Sequence, residues 1–266
     1  MGKLFLMMAA LMGGVAVHAV DFNDSAVWDN IKGCCVRGVP EAATVKAASE
    51  YLDSVDENTV KADWQKRAMI RARVIVFSRT AGVDASFAGL KAYVDNLIAG
   101  TEFEKPLSVP EYFQFFNCWW RNKDLQYAKD FYAYMKATPG SEKFPDLGLW
   151  AAALGKYEEA YDIYFANKAR FTITRMVRIA LDHLDDPGKA FAAAKLMVSG
   201  QSCTAQQVKE VMNLVAQRLI GNDAIPEAEM KGFLKNVNRK YTAYLPGDPQ
   251  TWEPIISQVR NLLDAY

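Results

Sequence analysis

The amino-acid sequence predicts an all-α fold in which antiparallel helix hairpins are stacked side by side. Three observations indicate this fold. Helix-starting signals recur along the chain, Gly and Pro divide it into segments of about 12 to 18 residues, and sustained two-residue alternation between hairpin turns is missing. Segments of this length suit helices that are joined by short loops and pack as antiparallel neighbours.

At the predicted helix starts, a residue with a side-chain oxygen precedes the first helical turn. Ser108 precedes Val-Pro-Glu, Thr204 precedes an apolar-periodic run, and Asp248 precedes Pro249. A side-chain oxygen at such a position accepts a hydrogen bond from an N–H group of the first helical turn, where Pro also fits because it lacks an N–H. Val-Pro-Glu-Ala at 39–42 predicts another start. Breaks are predicted at Gly82, Gly100, Pro139-Gly140, Pro187-Gly188, Gly200 and Gly221-Asn222-Asp223.

The first 19 residues have the layout of a signal peptide. Lys3 precedes an uncharged apolar run over 4–17, and Val17 and Ala19 place small side chains where cleavage after Ala19 needs them. A membrane anchor is the alternative, but the run is shorter than the ~20 residues that a spanning helix requires. We therefore expect export to the periplasm or the extracellular space, no membrane span after cleavage, and a single helical repeat domain over 20–266.

The charge balance argues against a nucleic-acid partner. The chain has 31 basic and 31 acidic residues, and loss of Lys3 with the signal peptide leaves a formal net charge of −1. Such a chain lacks the basic excess typical of nucleic-acid binding. One basic run on a predicted helix is interpreted as a solvated face without a partner, and it consists of Lys66, Arg67, Arg71 and Arg73.

The four cysteines do not predict a dense disulfide framework. Cys34 and Cys35 are adjacent and cannot easily bridge to each other, and no Cys-x-x-Cys motif is present. Small apolar core residues are the favoured interpretation. A disulfide between one of this pair and either Cys118 or Cys203 stays open, because export would permit it.

The stretch "LGLWAAALGKYEEAYDIYF" at 147–165 has the spacing of a helix pair. Small residues let two helices approach closely while large residues fill the next level, and Gly155 permits a tight turn between them. The stretch resembles the tetratricopeptide repeat in its order of Leu-Gly, contact residue, Gly-x-Tyr, small residue and aromatic. The matching residues are Leu147, Gly148, Ala151, Leu154, Gly155, Tyr157, Ala160 and Tyr164, with Phe144 one turn earlier.

The small residue of this pattern recurs along the chain. Ala92, Ala128, Ala160 and Ala193 follow one another with a period of about 34 residues, the length of a tetratricopeptide repeat. The clearest repeats are therefore expected from about 84 to 199, and helices within 204–266 are expected to cap the array.

The resemblance implies an α-solenoid with a right-handed superhelix, whose concave groove is lined by the first helix of each pair. It also implies a non-catalytic scaffold or adaptor that binds a protein or a peptide, since Arg and Trp often dominate interfaces. The groove positions carried over to this sequence are Phe113, Asn117, Trp120, Arg121, Leu149, Ala152, Arg175, Arg178 and Asp182.

The segment "YFQFFNCWWRN" at 112–122 allows a second interpretation of its aromatic residues. Phe113 and Trp120 lie seven residues apart on one helical face, and the sequence leaves core and groove positions equally open for them. The other aromatic residues share a face by their i, i+3 and i+4 spacing and are expected in the core; they are Tyr112, Phe115, Phe116 and Trp119.

Residues for catalysis are scarce. After cleavage His183 is the one histidine, and its place before Leu184-Asp185-Asp186 predicts a helix end, where a cation favours the helix dipole. We therefore expect no histidine-rich metal site, no cofactor and no enzyme. The alternatives are a carboxylate-based hydrolase of envelope or extracellular glycans and a structural subunit of an envelope assembly. The adjacent pairs Glu158-Glu159 and Asp185-Asp186 do not predict an acid/base couple, because neighbours on a helix face apart.

Overall fold

The computed structural model describes Cys34 and residues 41–80, 86–117, 125–144, 146–167, 172–199 and 203–265. These ranges consist of helices and their connections and hold no β-strand, so the prediction of an all-α fold is confirmed. Their helices are α1 (Ala42–Ser54), α2 (Asp63–Phe77), α3 (Phe87–Ala99), α4 (Val109–Gln114), α5 (Leu125–Ala137), α6 (Asp146–Ala153), α7 (Tyr157–Asn167), α8 (Ile173–Asp182), α9 (Pro187–Ser199), α10 (Ala205–Leu214), α11 (Glu227–Thr242) and α12 (Pro249–Asp264).

Two compact units divide the chain, at residues 1–144 and 145–266. The division falls inside the range that was predicted to hold the clearest repeats. In each unit the helices pack as neighbours along the chain, which is compatible with an α-solenoid. The right-handed superhelix stays a prediction.

The first unit begins with a serial packing of α1 on α2 and of α2 on α3. Val45, Ala48 and Leu52 of α1 form one apolar stripe, which packs against Met69 and Val76 of α2. The i, i+3, i+4 spacing of this stripe is why α1 is a helix with one buried face. Cys34 is completely buried in the same cluster, as the sequence predicted for a small apolar core residue.

A cluster of aromatic rings forms another part of the core of the first unit. Phe87 of α3 lies 5.4 Å, between ring centroids, from both Phe116 and Phe131. Edge-to-face and tilted contacts of this kind are the arrangements that aromatic rings prefer. Phe115 and Phe116 are buried, which confirms their predicted place in the core, whereas Tyr112 is half-buried. Trp119 lies outside the described residues.

The second unit has two layers of helices. Helices α8, α10 and α12 contact one another in sequence to form one layer, and α9 contacts α11 in the other layer. Helices α8 and α9 pack as a hairpin, as do α6 with α7 and α11 with α12. The helices after residue 204 pack on those before it, with α10 on α8 and α11 on α9, and their role as caps of a repeat array stays a prediction.

Polar contacts join α9 to α7 on one side and to α11 on the other. The Tyr161 hydroxyl of α7 donates to the carbonyl of Lys189 in α9 over 2.7 Å. On the other side, the Tyr241 hydroxyl of α11 donates to the carbonyl of Met197, also in α9, over 2.9 Å. Ion pairs add to both junctions, between Glu158 and Lys189 and between Lys195 and Glu229.

The helix caps, the turn glycine and the helix start predicted from the sequence are confirmed by the structure. Ser108, Thr204 and Asp248 each accept a backbone N–H of the following helical turn. The tight turn between α6 and α7 has Gly155 at φ +74°, a conformation that costs a residue with a Cβ about 1–2 kcal/mol. The start predicted at 39–42 is confirmed, since α1 begins at Ala42.

The predicted alanine period is only partly correct. Ala128, Ala160 and Ala193 are buried, but Ala92 is exposed on α3. Leu90 and Val94 fill the buried face of that helix. The predicted spacing therefore fails at Ala92, because α3 turns a different face toward its neighbours, and the repeat itself stays a prediction.

Among the described residues, no helix combines the length and the apolar character that a membrane crossing requires. The predicted signal peptide, residues 1–19, lies outside the described residues, so cleavage after Ala19 stays a prediction.

Candidate functional site

Helix α8 presents the clearest polar surface among the predicted groove positions. Its apolar residues, including Ile173, Met176, Val177 and Ala180, are completely or almost completely buried. The opposite face of the helix is exposed because α8 contacts its neighbours only through the apolar side. We call that exposed face the α8 stripe, and it consists of Arg175, Arg178 and Asp182.

Asp182 at the end of the α8 stripe pairs with an arginine that lies just after α10. Arg218 Nη1 lies 3.2 Å from Asp182 Oδ1, and Arg218 Nη2 donates to the Leu181 carbonyl over 3.1 Å. A cation at this position also neutralises the negative end of the α8 dipole. Arg218 lies in a π turn, Val215–Leu219, that follows α10. Sequence reasoning missed Arg218, because periodicity does not reveal a π turn.

Arg175 at the other end of the stripe is exposed, and its guanidinium lies close enough to the Tyr164 hydroxyl to affect the pKa of that group. Burial raises the pKa of the Tyr164 hydroxyl, and the neighbouring Arg175 guanidinium opposes that rise. Arg178, between these two residues, has no hydrogen bond or ion pair with any residue that the structure describes. The stripe thus holds one arginine beside the Tyr164 hydroxyl, one arginine with its guanidinium open to solvent, and one carboxylate paired with Arg218.

Leu149 and Ala152 lie in the same unit, on α6. Both side chains are half-buried, three residues apart on one side of the helix. Their neighbours Gly148 and Ala151 face the core, where Gly148 meets the ring of Tyr164. The structure therefore leaves a small, partly accessible apolar face on α6, at the two predicted groove positions.

Phe113 corrects one of the predicted groove positions. Its side chain is completely buried, and its ring centroid lies 5.9 Å from that of Phe131 and 5.6 Å from that of Phe144. Helix α4 ends at Gln114, and Phe113 faces the aromatic core from its last turn. Asn117 is half-buried, and Trp120 and Arg121 lie outside the described residues.

The basic run of α2 is also corrected, because three of its four cations have structural partners. Lys66 Nζ donates to the Glu102 carbonyl over 2.5 Å, and Arg67 Nη2 donates to the Lys105 carbonyl over 3.1 Å. Arg73 Nη2 donates to the Leu52 carbonyl of α1 over 3.1 Å. These cations therefore bind neighbouring main chain and do not form a freely solvated face.

The carboxylate pairs weighed for acid/base chemistry occupy structural positions. Glu158 pairs with Lys189, and Asp186 Oδ1 accepts the Lys189 N–H at the start of α9 over 2.8 Å. Asp185 has φ +50°, which fits a tight turn after α8. His183 caps the end of α8 as predicted, and its ring stacks on Tyr157 with 3.7 Å between centroids.

Among the described residues, no group of three or more His, Cys, Asp or Glu side chains is placed to hold a metal ion. No protein-family model, no curated protein and no solved structure matches this chain significantly. The α8 stripe must therefore be interpreted from its own geometry and charge.

Proposed function

We propose that this chain is an exported, non-catalytic helical-repeat protein that binds a segment of another protein. The exposed guanidinium of Arg178 on the α8 stripe is the observation that carries the proposal. A guanidinium presents five N–H donors in a rigid fork. Where no protein group accepts these hydrogen bonds, the donors bind water. In the stacked layer of α8, α10 and α12, a side chain in this position is open to an approaching chain.

The charge of the stripe favours an acidic segment as the partner. Arg218 offsets the carboxylate of Asp182, so Arg175 and Arg178 retain a net positive charge on the surface. Guanidinium groups bind carboxylates through paired, charge-assisted hydrogen bonds. The two arginines are three residues apart on α8, so they lie next to each other and can bind neighbouring carboxylates of one segment.

The export part of the proposal depends on the sequence of residues 1–19. Lys3, the apolar run and the small residue Ala19 have the order that signal peptidases recognise. N-terminal sequencing of the protein recovered outside the cytoplasm tests this part. A chain that begins at Val20 supports it, and a chain in the cytoplasm that begins at Met1 contradicts it.

The binding part is tested with an array of acidic decapeptides and their uncharged copies, in which Glu is replaced by Gln. Acidic peptides should bind the wild-type chain more tightly, and their affinity should fall as salt is raised. Arg175→Glu/Arg178→Glu should reduce that affinity at least tenfold. The matched control is Lys235→Glu/Arg239→Glu, which makes the same charge change on exposed residues of α11.

Two outcomes would contradict the binding proposal. In the first, acidic peptides bind no better than their uncharged copies. In the second, the α11 control loses as much affinity as the α8 variant, which would assign the effect to net charge. Circular dichroism of both variants verifies that the helices are intact.

A further inference from the structure

A cleft of about 500 Å³ opens in the first unit, between α2, the end of α3 and the 3₁₀ turn Glu57–Thr59. This volume lies within the range of small-molecule sites. The apolar floor comes from both helices and the loop between α1 and α2, and its residues are Val60, Met69, Ile70 and Leu97. The polar rim consists of Glu57, Asn58, Lys66, Arg73, Asn96, Thr101 and Glu102, with Gly100 beside them.

One end of the cleft carries excess negative charge. Arg73 Nη2 lies 3.3 Å from Glu57 Oε1, and Arg73 Nη1 lies 3.9 Å from Asp53 Oδ1. Two carboxylates therefore share one guanidinium. The Glu57 side chain is 79% exposed, so one of its faces is open to a bound cation. Asn58 adds an exposed amide at the same end.

The other end of the cleft carries Lys66, which forms no ion pair in the part of the chain that the structure describes, and the exposed side chain of Glu102 lies on the same rim. Lys66 Nζ donates to the main-chain carbonyl of Glu102, and in the part of the chain that the structure describes no carboxylate oxygen lies within 4 Å of it. An ammonium has three N–H donors, so two remain for a bound molecule. Thr101 supplies a hydroxyl close by.

The distance between these ends sets the length of a fitting molecule. Lys66 and Arg73 are seven residues apart on α2, which corresponds to about 10 Å along the helix axis. An extended chain of three residues spans about the same length. In the floor, Met69 and Ile70 are almost completely buried, whereas Val60 and Leu97 are partly exposed and offer the apolar surface that a central side chain would contact.

We propose that this cleft binds a short, extended, peptide-like zwitterion of about three residues. The ammonium group of that molecule lies at Glu57, its carboxylate lies at Lys66, and an apolar side chain contacts the floor. A single amino acid is too short to reach both ends, and a fatty acid lacks the ammonium group. This site consists of residues of the first unit alone and does not depend on the function proposed for the α8 stripe.

The probe is the tripeptide Ala-Leu-Ala with free ends, titrated into the full chain and followed by calorimetry and NMR. We expect saturable binding with shifts at Leu97 and Thr101. The N-acetylated and the C-amidated tripeptides should each bind at least fivefold more weakly, and leucine alone at least tenfold more weakly. Equal affinity for free and doubly blocked tripeptides, or no saturable binding by any of them, would overturn the proposal.

Substitutions at the rim of the cleft test where the tripeptide binds. Asn96→Trp places a bulky ring over the cleft from an exposed position and should reduce affinity at least tenfold. Ala92→Trp adds the same ring one turn earlier on α3, at an exposed position outside the cleft, and should leave affinity unchanged. Equal losses in both variants would place the tripeptide elsewhere.

Lys66→Gln tests the orientation of the tripeptide. Because the carboxylate is assigned to Lys66, this variant should bind the free and the amidated tripeptide with equal affinity. A persistent fivefold preference for the free carboxylate would overturn that assignment. Circular dichroism on each variant separates loss of binding from loss of fold.

Discussion

The backbone of Gly148 in α6 lies directly against the ring of Tyr164 in α7. A Cβ atom built at Gly148 would come within 2.7 Å of Tyr164 Cε1, closer than real Cβ contacts allow. The two helices approach this closely because neither Gly148 nor Ala160, which is completely buried one turn before Tyr164, carries a large side chain. This contact explains why the sequence has small residues at Gly148 and Ala160.

Gly148→Ala should therefore destabilise the second unit. The added methyl group must displace a buried ring, and overpacking of this kind costs about 1–3 kcal/mol. Thermal unfolding followed by circular dichroism measures the loss, and Gly148→Ala/Tyr164→Leu should recover part of it. Gly232→Ala in α11 is the matched control, since open space surrounds its Cβ and Ala favours the helix by about 0.5–1 kcal/mol. Similar losses at both glycines would contradict the packing argument.

Arg218→Met should change binding more than stability. Its ion pair with Asp182 joins two side chains that are about half exposed, so we expect a loss of less than about 1 kcal/mol in unfolding free energy. The uncovered carboxylate would then oppose acidic peptides at the α8 stripe and weaken their binding severalfold. Arg218→Met/Asp182→Asn should restore affinity. Failure of the double variant to do so would mean that Arg218 itself contacts the peptide.

Because of its buried tyrosines, we expect the protein to lose free energy of unfolding at high pH. Burial, together with the carboxylates of Asp186 and Asp162, raises the pKa of Tyr161 to about 12, against about 10 in an unfolded chain. The folded state therefore holds the phenol proton more tightly. This contribution is complete below pH 10 and is lost as the pH rises toward 12.

Urea unfolding at pH 9, 10 and 11 measures this loss. Tyr161→Phe should be less stable at pH 9, because it lacks the hydrogen bond to Lys189. It should also show a shallower decline with pH. Some decline should remain, because burial also raises the pKa of Tyr112 and of Tyr241. An unchanged slope in Tyr161→Phe would contradict the assigned shift.

Asp63 should hold the segment after α3 in place through hydrogen bonds to its main chain. Its carboxylate accepts the N–H of Glu104 over 2.9 Å and that of Lys105 over 3.0 Å, and the first of these bonds is the main reason why its pKa is lowered. Asp63→Ala should accelerate amide hydrogen exchange at Glu104 and Lys105 at least tenfold. Glu104→Gln changes charge in the same segment without removing an acceptor and should leave both rates unchanged. Slow exchange in Asp63→Ala would show that other contacts hold the segment.

Local chemistry accounts for what the sequence predicts well. Ser108, Thr204 and Gly155 act within one helical turn, so their roles follow from the residue and its immediate neighbours. The pairing of Gly148 with Tyr164 was also predictable, because both belong to one hairpin with a recognisable order of small and large residues.

Tertiary packing accounts for what the sequence predicts poorly. Ala92 is exposed and Phe113 is buried because neighbouring helices select which face of α3 and α4 is covered, and spacing alone does not specify that choice. The structural role of Arg67 was hidden for the same reason, since its carbonyl partner lies 38 residues away. Two of the nine predicted groove residues, Trp120 and Arg121, lie outside the described residues.

The two tyrosine hydroxyls on α9 have a further consequence. Tyr161 of α7 hydrogen-bonds one end of this helix, and Tyr241 of α11 hydrogen-bonds the other end. Local unfolding of α9 therefore requires that its contacts with both neighbours break. Nearest-neighbour coupling of this kind makes an array fray from its flanks inward. The 187–199 segment should therefore be the last of its unit to melt.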